Sequence, residues 1–207
     1  MTSTGMMPTI LLVVLVGTLF AADPLEEVKS MFFYHDTPIH PGILQLFDPG
    51  LADLNPQVLS VDLSAAQPSN RFPSDNYVAE PSGWVRPKNS DTEDRSGFSY
   101  RFVGRLPSGA LVVETVDAGG GSGSFENVMI FSVRAETGLN DDGSSKVQHV
   151  LHLLRETGLG DRAEAVLQIK GAHVMIDRSQ AKDPEMRSPL VIDDPLHAAN
   201  AAGTAQP

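Results

Sequence analysis

Three groups of residues in this chain are of types and spacings that could do chemistry. The first is the run Asp117-Ala118-Gly119-Gly120-Gly121-Ser122-Gly123-Ser124. Successive glycines can turn backbone N–H groups toward an anion, and Asp117, Ser122 and Ser124 would add a carboxylate and two hydroxyls. A Walker-type phosphate cradle needs Lys after its last glycine, and here Ser124-Phe125 follow; a dinucleotide fingerprint counted from Gly119 needs Gly at 124 and meets Ser. Both motifs feed a helix whose first amides bind the phosphate, whereas the residues after 124 read as a strand. Ser122 also lacks the final glycine of G-x-S-x-G and the helix behind it, so the nucleophile-elbow pattern of a hydrolase is incomplete. The run is expected to be a wide hairpin loop, with Asp117, Ser122 and Ser124 as candidate ligand-binding groups.

The second group is His149, His152 and Glu156. On a helix, spacings of three and four bring such side chains together, as a metal would require. At about 100° per residue they fall half a turn from Val147, Val150, Leu151 and Leu154, on the solvent side. They are therefore weak, exposed metal candidates, and no metal or other cofactor is assigned. The third is Trp84, the only tryptophan, set in a polar stretch rich in Pro, Ser, Asn and Asp. It is either a cap over a sheet or part of a binding surface.

Other polar clusters point to less. Asp91-Thr92-Glu93-Asp94 and Asn140-Asp141-Asp142-Gly143 lack the calcium-loop spacing and read as solvated turns. Glu114 and Asp117 are three apart on an expected strand, so they point to opposite faces and make no acid/base pair. His35 and His40 stand near Pro38 and Pro41, in a segment where no sequence pattern assigns them a role.

The elements that must position these groups centre on residues 98–136. Phe98, Tyr100 and Phe102 alternate with Ser99 and Arg101, the period of a strand with one buried face. Pro107-Ser108-Gly109 reverses the chain, because proline presets a turn dihedral and glycine accepts positive φ. Residues 110–116 are nearly all apolar, with Glu114 as the one charge, which suits a central strand. Residues 125–134 return as a third strand with Met129, Phe131 and Val133 on one face. Earlier, Asp23-Pro24-Leu25-Glu26 reads as a capped helix start and residues 57–63 as a strand. Later, Val147, Val150, Leu151 and Leu154 predict an amphipathic helix over 146–157, capped by Ser144 or Ser145 and stopped at Gly158. A hairpin is expected about Lys170-Gly171-Ala172.

The fold class that results is α+β: a small antiparallel sheet, barrel-like at its most curled, with one main amphipathic helix packed on it. The organisation expected is an export signal over 1–22, a partly helical or irregular segment over 23–56, the α+β domain over 57–177, and a disordered tail over 178–207. Residues 10–22, ILLVVLVGTLFAA, form an uncharged apolar run shorter than a typical membrane span, which fits the core of an export signal. The alternative is an uncleaved membrane anchor over residues 6–22. The formal charge of -11 in 207 residues repels phosphate backbones, so nucleic acid is not an expected partner. The absence of cysteine removes disulfides, thiol catalysis and thiolate metal sites.

These observations favour non-catalytic binding of a ligand or protein, in a periplasm or outside the cell. Two rivals stand beside it. One is a hydrolase or metal-assisted enzyme built from the groups around the Gly-rich loop, and the other is a structural envelope protein.

Overall fold

The computed structural model describes residues 23–48, 58–66, 77–88, 97–118 and 123–197. The expected export signal and residues 119–122 of the Gly-rich loop, with Ser122 among them, lie outside the described residues.

The first described residues fold as their local chemistry predicts. Helix α1, Pro24–Met31, has Asp23 as N-cap, accepting from the Leu25 N–H at 2.9 Å, and proline at its first position. It stops at Phe32, which turns left-handed at φ 60° and donates its N–H to Val28 O. Strands β1 (Phe33–Tyr34) and β2 (Thr37–Pro38) pair as a short hairpin. Helix α2, Pro41–Gln45, is capped by His40, whose Nδ1 accepts from the Gly42 N–H. Strand β3 (Ser60–Asp62) and the single turn α3 (Leu63–Ala66) follow.

The sheet strands are β4 (Tyr77–Ala79), β5 (Trp84–Pro87), β6 (Gly97–Arg105), β7 (Leu111–Ala118), β8 (Phe125–Leu139) and β9 (Ser145–Asp161). Among the described residues they form one curled antiparallel sheet in the order β3-β9-β8-β7-β6-β5-β4. Strands β4 to β9 are therefore a meander, and β3 returns to the outer edge of β9. The tight turn between β6 and β7 is the expected one, with Gly109 at φ 94° and the Leu106 N–H on Ala110 O. Strands β7 and β8 pair from Leu111↔Phe131 to Asp117↔Phe125, so the Gly-rich run joins two hairpin partners.

Both faces of this sheet are covered, and β7 is central, with Leu111 through Thr115 all buried. On one face Phe98, Tyr100, Val113, Met129 and Phe131 meet Val28, Phe32, Ile43 and Phe47 from the α1 to α2 region. The phenyl ring of Phe32 lies 5.6 Å from Tyr100 edge-on and 5.6 Å from Phe102 in a stack. On the other face Val112, Val128, Ile130 and Leu159 meet a second sheet of β10 (Val166–Lys170), β11 (His173–Asp177) and β12 (Leu190–Asp193). Gly104 lets that sheet approach: it sits at a register shift of β6 with φ 147°, and a Cβ there would lie 3.1 Å from Ile169 Cδ1.

Two expectations are corrected. Residues 146–157 are not a helix but the middle of β9, so the amphipathic helix expected there does not exist. What lies on the Phe131 face of the sheet is the pair of short helices α1 and α2. Val150 and Leu151 are adjacent in sequence and buried on opposite faces, and β9 carries two extra residues, Leu154 and Leu159, at its register shifts against β8. Burial on both faces plus a bulge imitates an i, i+3, i+4, i+7 pattern. The second correction concerns the tail. Residues 178–197 are described and docked: β12 pairs with β11, and Ile192 is fully buried in the core of that face. A 3-10 turn at Pro184–Met186 leads into it. The hairpin expected about Gly171 is β10–β11, closed by Lys170↔His173 with Gly171 at φ 60°.

Candidate functional site

The face that carries the second sheet also carries a polar cleft of about 340 Å³ over β5 to β8. Its floor is a cross-strand ladder. Trp84 on β5 stands opposite Arg101 on β6, and Arg101 stands opposite Glu114 on β7, so the three side chains share one face. The next row is Ser99, Val116 and Glu126, again paired across strands. Arg101 gives Nε and Nη2 to the same oxygen of Glu114, at 2.9 and 2.5 Å. The guanidinium of Arg101 also lies 5.4 Å from the Trp84 ring centre, and that of Arg86 lies 4.7 Å from it. Arg86 in turn faces Glu80 at 3.4 Å.

Glu114 is only 3% exposed. Burial pushes its carboxyl above the ordinary glutamate value, Arg101 pulls it back in part, and the charge of Glu126 adds to the rise. The sequence marks this group as the one charge in an otherwise apolar strand.

One wall of the cleft is the turn from Asp161 to Ala165, and it holds an unusual backbone. Arg162 and Glu164 both adopt positive φ, at 49° and 46°. Side chains and backbone around Ser124 clamp it: Glu126 accepts the N–H groups of Glu164 and Ala165 at 3.1 and 3.2 Å, and the Arg162 N–H donates to Ser124 O at 2.7 Å. The Ser124 N–H donates to Asp161 Oδ1 at 2.8 Å. Left-handed residues held by this many bonds cost energy that the surrounding contacts must supply, a pattern that concentrates at binding sites.

Of the candidate residues, Trp84 and Ser124 are brought together in this cleft. Asp117 is not, because it pairs with Phe98 and Phe125 and so points to the opposite face. There burial, and then the charge of Asp48, push its carboxyl up. Asp117 and Ser124 are thus split across the sheet, and Ser122 lies outside the described residues. Arg86, Arg101, Glu126 and Glu164 are site residues that the sequence reading missed, since only strand register brings them beside Trp84.

His149, His152 and Glu156 do not converge. On a strand rising about 3.3 Å per residue they are spread along the chain, and His152 faces away from the other two. His149 Nδ1 bonds the Tyr34 hydroxyl at 2.9 Å, and His152 Nε2 bonds Glu136 at 2.7 Å. Glu156 opposes Met129, where burial, and then Asp48, push its carboxyl up to about 7. Among the described residues no group of three His, Asp or Glu side chains is placed to hold a metal.

A second network ties α3 to the sheet: Ser64 Oγ bonds Asp62, Gln148 Nε2 donates to Asp62 Oδ2, and the His149 N–H reaches Ser64 Oγ. It joins a hydroxyl, a carboxylate and an amide side chain, while His149 enters through its backbone N–H and its imidazole bonds Tyr34 instead. Its evident work is to cap the edge of β9. No family model, no curated protein and no solved structure matches this chain.

Proposed function

We propose that this is an exported, non-catalytic binding protein whose ligand is a small, neutral, hydroxyl-rich molecule of the saccharide class, held in the Trp84 cleft. The observation that carries this reading is the Trp84–Arg101–Glu114 ladder on the floor of a cleft of about 340 Å³. That volume falls within the range of about 300–1,000 Å³ of small-molecule sites. Charges in the cleft are largely answered by neighbours: Arg101 by Glu114 on its floor, Arg86 by Glu80 outside its lining, and Glu126 by loop amides. What they leave is donors and acceptors side by side, which suits hydroxyl groups that both give and take hydrogen bonds. Trp84 adds an apolar flank for the C–H face of a ring. The net charge of -11 argues against a polyanion.

Trp84 is the sole tryptophan, so its fluorescence reports on this cleft alone. Titration with glucose, N-acetylglucosamine, maltose and cellobiose to millimolar concentrations should give a saturable change with at least one sugar. The change should be lost in Arg101→Gln. Silence with all four, by fluorescence and by calorimetry, refutes the saccharide reading. Export rests on the apolar run of residues 10–22. Mass spectrometry of protein recovered from the envelope or medium should find a chain that begins near residue 23. Intact Met1 in a membrane fraction would instead favour the anchor.

A further inference from the structure

The β8–β9 hairpin runs well past its neighbours. Strand β7 accompanies β8 only as far as Phe131, and β8 continues through Leu139 before turning at Asn140–Ser144. The other edge of this arm is closed, since α3 lies along β9 and Ser64 Oγ takes the His149 N–H. Along β8 from Ser132 to Gly138, no strand pairing or backbone bond on the outer side is found among the described residues. Native sheets usually blunt such an edge with charged side chains, proline or a bulge, because its free N–H and C=O groups are a template for another strand. This edge, Ser-Val-Arg-Ala-Glu-Thr-Gly, has no proline and no bulge beyond Phe131.

We propose that this edge is an interface with a second copy of the same chain, the two β8 strands pairing antiparallel about Ala135. The sequence is self-complementary in that register. Arg134 falls opposite Glu136 of the partner subunit, Glu136 opposite the partner's Arg134, and Val133 opposite the partner's Thr137. Opposite charges and β-branched pairs directly across strands are the favourable cross-strand pairs, and alanine at the two-fold axis lets the backbones close. Pairing from Val133 to Thr137 ends before it meets Leu111. In this register the partner's Leu139 would fall opposite Phe131, whose outer side already pairs with Leu111, so the two arm tips, with Leu139 and Val147 exposed at 66% and 67%, splay away from the paired segment. Within one chain Arg134 Nε and Glu136 Oε1 already touch at 2.8 Å; Glu136 also holds His152 Nε2 at 2.7 Å, and Arg134, 64% exposed, is the surface group able to exchange partners.

Sedimentation of the full chain at tens of micromolar tests the proposal, with Arg134→Glu and the double exchange Arg134→Glu/Glu136→Arg. The wild type should be a dimer. Arg134→Glu sets two like-charge pairs across the axis and should weaken association by about tenfold or more. The double exchange restores opposite pairs at unchanged net charge and should recover it. A monomeric wild type overturns the proposal, whether the edge is covered by this chain itself or serves another protein's strand. A dimer indifferent to Arg134→Glu, or one the exchange fails to restore, overturns it equally.

Discussion

Replacing Glu156 with Gln should stabilise the protein above neutral pH and change little in mild acid. Glu156 is half-buried on the sheet face that carries α1 and α2, opposite Met129, and its carboxyl is pushed up to about 7 from an ordinary 4.5, first by burial and then by the charge of Asp48. A carboxyl whose value is higher folded than unfolded holds its proton more tightly in the native state. Its contribution to stability is therefore full below about 4.5 and is lost as pH rises through about 7. A rise of about 2.5, at about 1.36 kcal/mol for each step of one, would amount to about 3.4 kcal/mol for a fully desolvated group. Half-burial leaves water to screen the charge, so about 1–2 kcal/mol is the expected effect. Gln keeps the shape and removes the titration. Urea unfolding of wild type and variant at about pH 5 and about pH 8 measures the difference between them, which cancels the general self-repulsion of an acidic chain. The variant should gain about 1–2 kcal/mol on the wild type between the two conditions. A gap that does not change with pH, or a variant less stable at the higher pH, would refute the argument.

Two further outcomes follow from the packing. Ile192→Ala should cost about 2–4 kcal/mol in denaturant unfolding, because this fully buried side chain ties β12 to the core; a loss within about 0.5 kcal/mol would mean the segment contributes nothing. Arg101→Gln strands the Glu114 carboxylate in its buried position and should cost about 1–3 kcal/mol at about pH 8. Burial already raises Glu114, so the loss should shrink at about pH 5 as the carboxyl takes a proton; a loss independent of pH would show that packing, not charge, was removed.

What the sequence determined by itself was whatever depends on a few adjacent residues. Asp23-Pro24 starts α1 because a capping carboxylate and a preset φ act within one turn. Pro107-Ser108-Gly109 and Gly171-Ala172 reverse the chain because positive φ is a local demand. The alternation at Phe98, Tyr100 and Phe102 and at Met129, Phe131 and Val133 predicted which face each strand buries, and it also separated Glu114 from Asp117. Tertiary structure decided the rest. Val147 to Leu154 satisfies a helical period, and only the long register with β8, with both faces buried, makes it a strand. Leu190 to Ile192 is too short to declare a core and becomes one only where β11 offers an edge and Val174 and Ile176 a surface. The cleft is the extreme case. Trp84, Arg101, Glu114, Glu126 and Glu164 come from five separate segments, and no spacing along the chain relates them. Period-two alternation says which side a residue takes, but its neighbours across the sheet are set by strand order and register, and those are decided by the free energy of the whole packed sheet.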